Sequence, residues 1–122
     1  MVTVVDPSGS PEPVFNRSGT TIVEVTGSGT TQMSATAIPS VSGWTIAIVQ
    51  ATDTPQVDQA VTLPDNAEIG DIVEVYNVIG GYPALVFPPA GQSLNSGGQV
   101  TIDQSRGRMF RQVGATLWRS MS

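Results

Sequence analysis

The residues best placed to do chemistry lie in PDNAEIGD, residues 64–71, where Asp65, Glu68 and Asp71 stand three residues apart. Carboxylate oxygens at that spacing could hold a hard cation such as Ca²⁺. The stretch lacks both the alternating Asp run with its glycine and the terminal Glu of the EF-hand loop. A solvated acidic corner, with Asp side chains bonding nearby backbone, is therefore expected in preference to a metal site. A carboxylate pair could also hydrolyse a glycosidic bond, but with ten acids in the chain no pair is singled out. Arg106-Gly107-Arg108 looks like a basic motif, although a glycine between two strand-like runs more simply makes a turn or bulge. Trp44, Tyr76, Tyr82, Phe87, Phe110 and Trp118 could stack on sugars. Scattered over seven strand-like runs, they are expected mainly in the core and at interfaces.

The residue types that are missing restrict function further. The chain has no His, Cys or Lys. It therefore lacks the usual general base near neutral pH and a thiolate nucleophile. It also lacks a Schiff-base lysine and the common ligands of transition metals. The expectation is a protein that is not an enzyme and carries no catalytic residues, metal or cofactor. A net charge of −5 argues against nucleic acid, which is held by cations on its phosphates. The charge is uneven: every acid lies at or before Asp103, while Arg106, Arg108, Arg111 and Arg119 all lie beyond it. Those arginines either sit on solvated strand faces or meet an acidic surface on a neighbouring copy. No stretch is apolar for the ~18 residues that suggest a membrane span. MVTVVDPSGS has neither the basic nor the apolar region of a secretory signal, so synthesis and folding in a cytoplasm are expected.

The elements follow from turn chemistry. Residues 1–43 are rich in Gly, Ser, Thr and Pro, with short β-like runs at 2–5, 13–16, 20–26 and 30–34. They read as an extended N-terminal arm, which would fray unless something tied it down. From Trp44 onward the runs 44–50, 59–63, 71–78, 84–87, 99–103, 108–113 and 116–120 are β-branched or aromatic and bounded by Pro, Gly, Asn or Asp. In DIVEVYN, Val73, Val75 and Asn77 alternate with Ile72, Glu74 and Tyr76, the period of a strand with one buried face. LPDNAEIGD (63–71) could hold at most a helical turn. Pro88 and Pro89 must end the strand through Val86, because proline cannot donate to a ladder. Gln92–Asn95 then run along an edge, and Ser96, Gly97 and Gly98 turn the chain again. The fold class expected is all-β: a compact antiparallel β-sandwich or small barrel over 44–122, preceded by the arm.

The passage AVTLPDNAEIGDIVEVYNVIGGYPALVFPPAGQSLNSGGQVTIDQSRGRMFRQVGATLWRSM resembles a module of structural proteins in tailed-phage virions. The likeness rests on LPDNAEIGDIVEVYN, on LVFPPAGQSLN with its Pro-Pro and Gly stop, and on RMFRQVGATLW with its Gly-Ala-Thr turn. VDPSGSPEPVFNRSGTT is similar to the openings of small phage head proteins. The resemblance implies a homotrimer that decorates and stabilises the capsid exterior as a cement protein, with the major capsid protein as partner. The chain lacks coiled-coil heptads, collagen-like repeats and a long shaft. That favours decoration over the alternative, a head- or tail-fibre tip that binds host-surface glycans.

On this reading the capsid contact falls on the arm, through Val14, Phe15, Asn16, Arg17, Ile22 and Val25. The subunit interface falls on Arg106, Arg108, Arg111 and Trp118. Glycan contact, in the alternative, falls on Trp44 and Tyr82, the aromatics of SGWT and IGGYPA.

Overall fold

The computed structural model describes residues 20–39, 43–51, 54–95 and 97–121. Among them there is no helix. The strands are β1 (Thr20–Thr26), β2 (Thr36–Ala37), β3 (Trp44–Gln50), β4 (Ala60–Thr62), β5 (Ile72–Asn77), β6 (Ala84–Phe87), β7 (Ser93–Leu94), β8 (Val100–Ile102), β9 (Gly107–Gly114) and β10 (Leu117–Ser120). They form two sheets, one of order β1-β3-β5-β9-β10-β7 and one of order β2-β4-β6-β8. The all-β expectation holds.

The path of the chain differs from that of an antiparallel sandwich or barrel. Successive strands alternate between the two sheets as far as β9, and β1, β3 and β5 pair in parallel, each with the next. The even strands β2, β4 and β6 do the same. The result is a solenoid-like coil whose rungs are β1–β2, β3–β4 and β5–β6. One turn of the coil sets Trp44 beside Thr20, and the next sets Ile72 beside Trp44. In the smaller sheet the same two turns set Val61 beside Thr36 and Leu85 beside Ala60, an equal advance along the chain at each step. Antiparallel pairing is confined to the far end, where β9 lines β5, β10 lines β9 and β8 lines β6.

The coil also corrects the arm. β1 is part of the larger sheet and pairs with β3 along its whole length, so the boundary at residue 43 does not divide an arm from a module. TTQMS (30–34), expected as a strand, is a turn in which Thr31 and Ser34 bond each other's backbone N–H. The segment 63–71 contains turns and no helix. The runs at 2–5 and 13–16 lie outside the described residues.

Each rung closes because its corner fits the corner above it. Gly27 N donates to Gln50 O, and both Gln59 N and Ala60 N donate to Gly29 O. A Cβ on Gly27 would stand 2.7 Å from Asp58 O, so only glycine lets these backbones approach. The next corner repeats the device, with Leu85 N donating to Gln59 O and Gln59 Nε2 to Pro83 O.

Between the sheets lies one core. Val25, Ala47, Val49, Val73, Val75, Phe110 and Trp118 of the larger sheet meet Ile38, Val61, Leu63, Ala84, Val86 and Ile102 of the smaller side. The alternation read from DIVEVYN is present: Val73, Val75 and Asn77 are buried. Asn77 is polar yet fully paired. Its Nδ2 donates to Tyr82 O at 2.9 Å and Ile102 O at 3.0 Å, and its Oδ1 accepts from Ile79 N at 2.7 Å. It thereby joins the turn after β5 to β8. Pro88 and Pro89 end β6, and the chain then crosses to β7, which runs along the outer edge of β10.

Candidate interaction face

The side of the larger sheet turned away from the core carries the most distinctive group of side chains. Register sets it in rows across β1, β3, β5 and β9: Thr20–Trp44–Ile72–Arg111, then Ile22–Ile46–Glu74–Met109, then Glu24–Ile48–Tyr76–Gly107. Ile22 is 57% exposed, Tyr76 40% and Trp44 38%, so large apolar groups face solvent across neighbouring strands. Most of them come from β1, β3 and β5, where Ile22, Trp44, Ile46, Ile48, Ile72 and Tyr76 share the outer side with Glu24, Glu74 and, toward the strand ends, Thr20, Thr26 and Gln50.

Glu74 organises the centre of this face. Its Oε1 accepts from Trp44 Nε1 at 2.9 Å and its Oε2 from Tyr76 Oη at 2.7 Å. The Tyr76 ring lies over Gly107 on the neighbouring strand, where any Cβ would run into the ring. Glycine weakens a strand, and an aromatic laid across it restores cover. This gives Gly107 a purpose that the Arg-Gly-Arg spacing does not reveal.

The bond to Glu74, with lesser effects of burial and of the carboxylate's charge, raises the Tyr76 phenol above its ordinary value. The folded chain thus holds this proton more tightly than the unfolded chain. Any stability from the bond is present below roughly pH 10 and is lost as pH rises through the raised value. Tyr76→Phe should remove that part of the alkaline loss in a melting-temperature profile. An unchanged profile above pH 10 would show that the bond does not matter to stability.

The other expected site residues are dispersed. Val14, Phe15, Asn16 and Arg17 lie outside the described residues. Ile22 points outward, but Val25 is 4% exposed and packs in the core, so it cannot anchor a capsid contact; the inward alternation of β1 explains why. Trp118 is wholly buried, its Nε1 donating to Gln92 Oε1 at 2.9 Å, so it is a core residue and not an interface residue. Arg108 alternates onto the core side and is partly buried beside Val75, whereas Arg106 is exposed in the turn before β9. Arg111 and Arg119 stand directly opposite each other on β9 and β10, both exposed.

Trp44 and Tyr82 do not form one site. Trp44 begins β3, while Tyr82 follows the far end of β5, roughly 20 Å along the strand direction. The partner that sequence reasoning missed for Trp44 is Tyr76. The spacing of Glu74 and Tyr76 in EVY puts those two on one face, but only the parallel register brings Trp44 beside them.

The acidic corner is structural. Asp71 Oδ1 accepts from Gly43 N at 3.1 Å and Oδ2 from Glu68 N at 2.9 Å. The carboxylate therefore ties the β4–β5 corner to the start of β3 by bonding back along the chain, not forward as in an Asx-type turn. No group of three or more acidic, His or Cys side chains is placed to hold a metal ion among the described residues. A groove of about 450 Å³ runs between β1 and β2, with Glu24, Thr26, Thr36, Ala37 and Pro39 on its walls. Comparison with protein-family models, with curated proteins and with solved structures finds no match to this chain.

Proposed function

We propose that this chain is a non-enzymatic structural protein of a tailed-phage virion, which decorates and stabilises the capsid exterior as a homotrimer. The observation that carries the reading is the outer face of the larger sheet, where Ile22, Ile46, Ile48, Ile72 and Met109 stand on four adjacent strands. Such a face offers adhesion and no reacting group. Its one central carboxylate is already bonded on both oxygens. Stabilisation follows from mass action, since a protein that binds the assembled shell and not its free subunits favours the shell. The partners are the major capsid protein and further copies of the chain, with no nucleic acid, membrane or cofactor. The protein is made in the host cytoplasm and ends on the virion surface. Val14, Phe15, Asn16 and Arg17 make the capsid contact.

Negative-stain imaging of capsids with and without added protein tests this, with regular surface protrusions expected. Phe15→Ala should weaken attachment by about 2 kcal/mol, the scale of an interface hot spot, with little change in the melting temperature of the free protein. Bare capsids at saturating protein would defeat the reading. Attachment unchanged by Phe15→Ala would move the contact elsewhere.

A second reading, a fibre tip that touches host glycans, draws on the neighbouring Trp44, Glu74 and Tyr76, since rings beside a carboxylate suit a sugar's apolar face and hydroxyls. Binding on a glycan array that is lost in Trp44→Ala, without affinity for capsids, would favour it.

A further inference from the structure

We infer that the outer face of the larger sheet is the surface through which copies of this chain bind one another, three such faces turning toward a common axis. This deepens the homotrimer proposed above and does not depend on the viral setting. Three features of the face point to a second copy as its occupant.

The first is its parallel construction. Parallel strands are normally covered on both faces, and read as nearly continuous apolar runs. β3, WTIAIVQ, is such a run: Thr45, Ala47 and Val49 are buried against the smaller sheet, while Trp44, Ile46 and Ile48 point the other way. β1 and β5 add Ile22 and Ile72, and no described segment covers them.

The second is that its polar centre is ready for burial. A buried carboxylate is costly unless it is both hydrogen-bonded and paired with a charge. Glu74 already accepts from Trp44 and from Tyr76 within the same face. A neighbour that also brings a cation, such as its exposed Arg111, can cover all three without stranding a polar atom or a charge.

The third is charge. Glu24 is exposed on β1, at one side of the face. At the same level on the other side, Arg106 precedes Gly107, and toward the opposite end of β9 Arg111 faces Arg119 on β10. Like charges directly opposite on paired strands are destabilising, and among the described residues no ion pair relieves these arginines. In a ring, the β1 side of one copy meets the β9–β10 side of the next, so Glu24 approaches a neighbour's Arg106. A second copy therefore carries the complement of this face.

Size explains why the assembly closes. Four strands about 4.8 Å apart and roughly 20 Å long give a face on the order of 300 Å² in projection, below the ~800 Å² per partner of a stable pair. A closed ring lets each copy use both flanks as well as the face.

The chain has no cysteine, which allows a clean experiment. Sedimentation equilibrium of the full chain should give three times 12.7 kDa. Ile22→Glu, at an already exposed position, should weaken association roughly 30-fold or more while leaving the far-ultraviolet spectrum of the strands unchanged. Glu24→Arg should also weaken it, and adding Arg106→Glu should restore it. Ile46→Cys should form covalent dimers on mild oxidation, whereas Ile69→Cys, exposed in the acidic corner, should not. A wild-type monomer at roughly 100 µM overturns the inference, since a Kd weaker than that lies outside stable assembly. So does wild-type mass in Ile22→Glu, or failure of the charge swap to restore association. A trimer that leaves capsids bare would defeat the viral reading alone. A monomer that decorates them would defeat this inference alone.

Discussion

Asn77→Ala should destabilise the chain by about 3 kcal/mol or more, the largest effect expected of any polar substitution among the described residues. The side chain makes three hydrogen bonds to backbone, to Tyr82 O, Ile102 O and Ile79 N. Alanine leaves Ile79 N without its partner and removes one donor each from Tyr82 O and Ile102 O, around a side chain that is itself 1% exposed. Each orphaned buried group costs about 1–3 kcal/mol, and the costs overlap because a relaxed loop would admit water to all three at once. Asn77→Asp tests the same site more finely, because a carboxylate can still accept from Ile79 N but cannot donate to the two carbonyls. Chemical denaturation of both variants is the measurement. A loss below about 1 kcal/mol for Asn77→Ala would mean that the turn after β5 does not depend on this side chain.

Trp118→Ala should cost about 3–5 kcal/mol, the range for deleting a large buried aromatic. The indole is wholly buried between the sheets, and its Nε1 donates to Gln92 Oε1. Removing it opens a cavity and strands the Gln92 acceptor beneath β7, the edge strand that β10 holds in place. The loss should be the same at every protein concentration, because the ring belongs to one chain's own core. A melting temperature that fell only in dilute solution would return Trp118 to the subunit interface.

The sequence makes some of this legible and hides the rest for physical reasons. Period-two alternation in DIVEVYN identifies β5 and its buried side, since one face of the strand meets the core, whereas the apolar run WTIAIVQ identifies β3 without telling its two sides apart. It cannot say whether the next strand folds back beside its predecessor or crosses to another sheet. Connection length is the available signal: the stretch between Thr26 and Thr36 is longer than a tight hairpin needs and long enough to cross a core. The same stretch, with its Gly and Ser, has the composition of an arm, and so β1 is easily set apart from the sheet it edges. β2 and β7, at two residues each, carry too little pattern to see. Of the outer face, Glu74 and Tyr76 can be read from their spacing. Trp44 cannot, because its place beside them depends on the register that sets it against Ile72, a full turn of the coil further along the chain.

The equal advance between rungs of the smaller sheet, from Thr36 to Val61 and from Ala60 to Leu85, has a consequence for how this fold can change in size. A solenoid-like coil gains or loses whole turns at little cost to its neighbours, because each turn touches only the ones beside it. Insertion of one further turn, with a glycine where Gly27 stands, would lengthen the body by one strand spacing, about 4.8 Å. It would also extend the outer face by one more strand. An insertion of any other length must bulge from a corner or slip the register, and a slip of one residue turns the buried side of a strand outward. Growth of such a protein is therefore quantised, in turns and not in residues.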